Sequence, residues 1–310
     1  MYTLRITVVA LFILLFSYGV SSAQTELLMA SGDSCLGAGS GFSTLYRVNP
    51  NTADVNPVGP MGFRGVSGMA VLGDGRLVGS AIADAGSDFI SILIEIDPLT
   101  GAGSLIGTIG NNNLGGCGRV PDLTYDAATD TLYGIGFRCI PGNGHGNITD
   151  LIRIDQATGQ GTIIGQTGFF GGGNALAVRG DGTLISSEGN GAVLNILTLD
   201  PLTGQGTVIA SRNVNALVYN AFDFSPVTGE LFGIEFTFLD LPTLLVTVNT
   251  SNAESTAIGE LPGCSDALVF FTIPPRNVPT LSEWGMVSAV VGLGMIGVLF
   301  ALRKRKAQTI

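Results

Sequence analysis

Leu93-Ile94-Glu95-Ile96-Asp97-Pro98-Leu99-Thr100-Gly101 is the stretch from which the fold is read. Its apolar alternation makes a half-buried strand. The Asp97 carboxylate is placed to accept backbone N–H groups two or three residues on, and Gly101 supplies a positive φ. Strand plus turn is one half of a hairpin. The same pattern recurs as Leu45-Tyr46-Arg47-Val48-Asn49-Pro50-Asn51-Thr52, Leu151-Ile152-Arg153-Ile154-Asp155-Gln156-Ala157-Thr158-Gly159, Ile196-Leu197-Thr198-Leu199-Asp200-Pro201-Leu202-Thr203-Gly204 and Leu245-Val246-Thr247-Val248-Asn249-Thr250-Ser251. A second strand follows each turn, for example Thr162-Ile163-Ile164-Gly165 or Thr207-Val208-Ile209. Each turn has too few oxygens in series to be a calcium loop.

Another hairpin lies between these, as in Met69-Ala70-Val71-Leu72-Gly73-Asp74-Gly75-Arg76-Leu77-Val78 and Leu176-Ala177-Val178-Arg179-Gly180-Asp181-Gly182-Thr183-Leu184-Ile185. The unit is thus four strands, with Asp or Asn anchors at 49, 97, 155, 200 and 249. Spacings of 48, 58, 45 and 49 residues suit propeller blades. The C-terminal strand Asp266-Ala267-Leu268-Val269-Phe270-Phe271 has no partner after it, and Glu26-Leu27-Leu28-Met29-Ala30 has none before it. Joining them completes a last blade and removes exposed sheet edges. The expectation is an all-β, five-bladed β-propeller over 24–272, closed by pairing of the N- and C-terminal strands.

The four cysteines fall at repeated positions. Cys117 and Cys139 flank the first two strands of one blade; Cys264 and Cys35 take the same places in the closing blade. Four cysteines allow three pairings. The blade register favours Cys117–Cys139 and Cys35–Cys264, disulfides that an oxidising compartment permits. Zinc is not expected, because the spacings are wrong and His145 is the sole histidine.

Residues 24–276 hold 9 arginines, no lysine and 23 acidic residues, a formal charge of −14. Such a surface repels phosphate and argues against a nucleic-acid partner.

The two ends differ in character from this body. Arg5, an apolar run over 8–16 and Ser21-Ser22-Ala23 read as a signal peptide, 1–23. At the other end a stiff linker, 273–277, leads to Val278-Pro279-Thr280-Leu281-Ser282-Glu283-Trp284-Gly285-Met286, an apolar run over 286–302 and the basic stop Arg303-Lys304-Arg305-Lys306. Seventeen residues span about 25 Å as a helix, just enough for one transmembrane helix with Trp284 at one interface and basic residues snorkelling at the other. Basic residues stay cytoplasmic, which places the bulk of the chain outside. The tail 278–310 resembles the IPTL-CTERM protein-sorting domain of Gram-negative bacteria, a relative of PEP-CTERM tails. Pro279, Thr280, Leu281, Trp284 and Gly285 match its motif, and Val278 stands where the family has Ile. The resemblance implies recognition by an exosortase-like, membrane-embedded sorting protease. It also implies delivery to the cell envelope or exterior, through a single-pass membrane form whose C-terminus is cytoplasmic.

In repeat scaffolds function gathers on the face carrying the longer connections. Arg64, Arg119, Arg138, Phe169, Phe170, Arg212 and Tyr219 belong to that face and form the candidate ligand surface, of a chemistry suited to a glycan or a protein. No catalytic residue, cofactor or metal is expected. Asp122, Asp223 and Asp266 lie near the starts of innermost strands, as in five-bladed glycosidases, but Asp122 and Asp223 are out of register by two residues. The reading is an exported, envelope-sorted surface or extracellular-matrix protein with a non-catalytic binding module. The alternative is a propeller-fold glycan-active hydrolase using those inner-strand carboxylates.

Overall fold

The computed structural model describes residues 24–32, 41–85, 88–110, 119–138, 148–169, 175–189, 192–214, 217–237 and 242–273. The signal peptide, the sorting tail with its apolar run, and Cys35, Cys117, Cys139 and Phe170 lie outside them. Among the described residues no helix is long and apolar enough to cross a membrane.

The turns form as their chemistry dictates. Asp97 accepts the Leu99 N–H at 2.8 Å and the Thr100 hydroxyl at 2.9 Å, and the Gly101 N–H closes on the Asp97 carbonyl at 2.8 Å. Asp200 repeats this with Leu202, Thr203 and Gly204. Where the motif ends in alanine rather than glycine, Ala53 and Ala253 take the left-handed conformation, at φ 61° and 59°.

Strands between these turns assemble into five four-stranded antiparallel sheets. The first three strands, β1 (Gln24–Ser31), β2 (Thr44–Val48) and β3 (Val55–Pro60), belong to the closing blade. Blade one is β4 (Arg64–Val71), β5 (Leu77–Ala85), β6 (Asp88–Ile96) and β7 (Gly103–Thr108). Blade two is β8 (Arg119–Asp126), β9 (Thr131–Arg138), β10 (Ile148–Ile154) and β11 (Gly161–Gln166). Blade three is β12 (Leu176–Val178), β13 (Leu184–Gly189), β14 (Val193–Leu199) and β15 (Gly206–Asn213). Blade four is β16 (Leu217–Phe224), β17 (Leu231–Thr237), β18 (Leu244–Asn249) and β19 (Glu254–Glu260). The last strand, β20 (Ser265–Ile273), pairs with β1 to give the closing order β20-β1-β2-β3. The ring is therefore closed by the two chain ends, as the strand count required. At this closure the Gly32 N–H meets the Cys264 carbonyl at 3.1 Å and the Ser31 hydroxyl meets the Gly263 carbonyl at 3.0 Å.

Apolar residues pack between successive blades, as with Leu123, Ile152 and Leu93 between blades one and two, or Tyr219, Phe222 and Ile196 between three and four. A glycine in the outermost strand lets the next blade's turn come close. A Cβ at Gly107 would run into the Thr158 carbonyl; Gly59 meets Thr100 and Gly165 meets Thr203 in the same way. Neither partner is a flexible side-chain tip, so the contact has no cheap relief. Gly107→Val is expected to destabilise the ring by about 1–3 kcal/mol, the range for overpacked interiors. Urea denaturation of that variant beside Gly75→Ala, at a turn glycine with open space but φ +88°, separates the clash from backbone strain alone.

Candidate functional site

The inner strands bring their carboxylates to the centre of the ring, where they serve the backbone. Asp122 on β8 is fully buried. Its Oδ1 accepts the Leu123 N–H at 2.9 Å, and its Oδ2 accepts those of Leu176 on β12 at 2.8 Å and Phe222 on β16 at 3.2 Å. One carboxylate thereby ties three blades. Asp223 does the same one layer along: Oδ1 takes the Phe224 N–H at 2.9 Å and Oδ2 that of Phe270 on β20 at 2.6 Å. In that layer the Thr124 hydroxyl accepts the Val178 N–H at 3.0 Å, so Thr124 is the counterpart of Asp223 and the offset of two residues from Asp122 is real.

Burial pushes Asp122 well above the usual carboxylate range, against the pull of its three N–H donors. Burial likewise raises Asp223 to about 7. Asp266, on β20, is also raised to about 7 by burial, opposed by the positive charge of Arg119. Asp223 and Asp266 keep some solvent-accessible surface, but the crowding of protein around each carboxyl governs its titration.

Arg212 and Tyr219 come together, in a seam rather than on an open face. Arg212, on β15 of blade three, reaches the Tyr219 hydroxyl at 3.3 Å and the Ser255 hydroxyl at 3.5 Å, with Glu235 at 3.7 Å. Ser255 donates to Glu235 at 2.5 Å, and Tyr219 is fully buried. Phe169 packs against the core between blades two and three, beside the bare Cα of Gly206. Of the candidate ligand surface, then, Arg212, Tyr219 and Phe169 are occupied in packing. Arg64 begins β4 and Arg119 begins β8, while the Arg138 side chain lies outside what is described. The Cys264 thiol is not free: it is held in a disulfide.

Two acidic residues escaped the sequence reading. Glu188 is the fifth residue of β13 and Glu235 the fifth of β17, in register with one another. Comparing Leu184-Ile185-Ser186-Ser187-Glu188 with Leu231-Phe232-Gly233-Ile234-Glu235 was the available signal. Glu235 is partnered as above. Glu188 is 1% exposed, and neither of its oxygens has a hydrogen-bond partner. Burial raises it to about 7; the Thr167 and Thr149 hydroxyls lie near enough to moderate that rise without reaching hydrogen-bond geometry.

On the opposite face, between paired turns, are two open polar grooves. One, of about 640 Å³, is lined by Asp130, Arg153, Asp155 and Gln156; the other, of about 540 Å³, by Arg179, Phe224, Glu230 and Asn249. Expectation had placed ligand contacts on the connection face alone.

Fold and centre together define a five-bladed β-propeller whose inner carboxylates brace the ring. No family model matches the chain, and no curated protein matches it in sequence. Among solved structures it is similar to a chain of a nidogen/laminin complex, at 12% identity over 80% of this chain and 98% of that one, TM-score 0.51. It is also similar to a periplasmic gluconolactonase of Pseudomonas aeruginosa, at 16% identity over 81% and 86%, TM-score 0.45. A putative 6-phosphogluconolactonase of Bacteroides fragilis matches at 12% identity over 81% and 99%, TM-score 0.43. At these identities the likeness is one of fold.

Proposed function

We propose that this is an exported surface or extracellular-matrix protein whose propeller is a non-catalytic binding module, handled through the sorting tail 278–310. The observation that carries the non-catalytic reading is the use made of Asp122 and Asp223. A glycosidase needs two carboxyl groups facing a substrate across open space. Here Asp122 is fully buried and spends its oxygens on backbone N–H groups of three blades, and Asp223 spends its own on two. The ligand class is a glycan or a protein, taken by polar, arginine-bearing surface. The tail's resemblance supports passage through a single-span membrane form and trimming by an exosortase-like protease. For the cysteines we favour Cys35–Cys264, because Gly32, three residues from Cys35, is hydrogen-bonded to Cys264. Cys117–Cys139 is then the second pair.

One observation favours the hydrolase reading. Asp266, raised to about 7 and not fully buried, titrates where a general acid is useful. If the protein hydrolyses glycans, this is its acid, not Asp122 or Asp223. The test is one preparation of the mature protein. Non-reduced peptide mass spectrometry is expected to find both termini trimmed and Cys35 joined to Cys264. On a glycan and matrix-protein panel, binding without turnover is expected, unchanged in Asp266→Asn. Product release that disappears in Asp266→Asn while binding persists would overturn the non-catalytic reading.

A further inference from the structure

The repeat provides its own control for Glu188. Register aligns Leu199–Gly206 of blade three with Val248–Ser255 of blade four, so Gly206 stands where Ser255 does. Asp150–Gln166 aligns with Asn195–Ser211, so the next residue, Thr167 of blade two, stands where Arg212 does in blade three. Each glutamate faces the blade before it. Glu235 meets the Arg212 guanidinium there and the Ser255 hydroxyl of its own blade; Glu188 meets two threonines of blade two. At one seam the chain supplies the cation; at the other it supplies the same acid, with no cation among the described residues.

Among the described residues, the polar groups that face Glu188 are the Thr149 and Thr167 oxygens. The Glu188 Oε1 and Oε2 and the Thr149 Oγ1 are buried and unpartnered; the Thr167 hydroxyl donates weakly to the Thr149 carbonyl at 3.3 Å and accepts the Phe169 N–H at 3.3 Å, which leaves it one lone pair. Glu188, Thr149 and Thr167 are each 1% exposed or less, which excludes a group carried on a large ligand. A carboxylate with hydroxyl oxygens beside it suits a hard cation. A divalent ion beside this single carboxylate leaves one positive charge uncompensated in a dry seam, whereas a monovalent ion leaves none.

We propose that the seam between blades two and three is a monovalent-cation site, an alkali or ammonium ion held by Glu188 with the Thr149 and Thr167 oxygens. The ion does for this seam what Arg212 does for the next. The proposal stands whether or not the propeller hydrolyses glycans.

The experiment is thermal unfolding of the intact propeller at pH 8.5 and constant ionic strength, with choline chloride exchanged stepwise for sodium, potassium or ammonium chloride. Choline is too large to enter. A saturable rise in Tm of roughly 5 °C is expected for at least one small ion, the size that binding well above Kd produces. Glu188→Gln should abolish the ion response, and its Tm in choline should reach or exceed the wild-type value there. Thr167→Arg should also melt independently of the ion, because it moves the cation into the chain. Coincident wild-type curves in all four salts would sink the proposal, since a proton alone would then neutralise Glu188. An ion response that survives in Glu188→Gln would sink it equally, by placing the ion elsewhere.

Discussion

Asp122→Ala is expected to cost the propeller on the order of 3–9 kcal/mol, at about 1–3 kcal/mol for each of three buried N–H groups left without an acceptor. The donors at risk are Leu123, Leu176 and Phe222, on three different blades. Water cannot replace the carboxylate, because Asp122 has no exposed surface. A loss of that size is a large part of the 5–15 kcal/mol that typically holds a domain together, so the variant should unfold at much lower urea. Asp122→Asn keeps one oxygen and should lose less. Thr124→Val, which strands only the Val178 N–H, should lose least. Equal midpoints for Asp122→Ala and Thr124→Val would show that the carboxylate braces nothing beyond its own strand.

The second large effect is a stability that falls as pH rises from mild acid toward neutrality. Glu188, Asp223 and Asp266 titrate near 7 when folded, and at their ordinary values of 4.5 and 3.8 when burial is relieved by unfolding. A folded pKa above the unfolded one stabilises fully below the unfolded pKa and is lost as pH climbs to the folded value. The window is therefore about pH 4 to 7, with a plateau beyond. Each group contributes on the order of 3–4 kcal/mol. The turn carboxylates act in the opposite sense: backbone and hydroxyl hydrogen bonds hold Asp97, Asp155 and Asp200 below the usual range, so their contribution is lost in stronger acid. Stability should thus peak in mild acid, near pH 4–5, rather than at neutrality. Denaturation series from pH 3 to 9, in choline buffer so that small cations do not intervene, test this. Glu188→Gln should flatten part of the decline. A midpoint that holds level from pH 5 to 8 contradicts the assignment.

Much of the architecture was legible because its signals are local. Asp97 and Asp200 bond N–H and hydroxyl groups two and three residues away, and the glycine that follows takes the positive φ, so each turn is written in five consecutive residues. Repetition of that motif set the blade count, and the unpaired strand at each end required closure. The candidate site was less legible. Tyr219, Arg212 and Phe169 read in sequence as connection-face residues, whereas in the fold they pack into the seams. Glu188 was overlooked because, within its own strand, it reads as an ordinary solvent-side acid.

Sequence alone determined that this chain closes a ring of five sheets, because hairpin turns are short-range hydrogen-bond patterns and an unpaired sheet edge must find a partner. Tertiary structure alone decided what the acidic side chains do. Asp122 reaches N–H groups 54 and 100 residues away, and the fate of Glu188 depends on whether an arginine or a threonine faces it from the neighbouring blade. Those outcomes follow from how twisted sheets stack around a common axis, and short-range hydrogen bonding carries no record of that stacking.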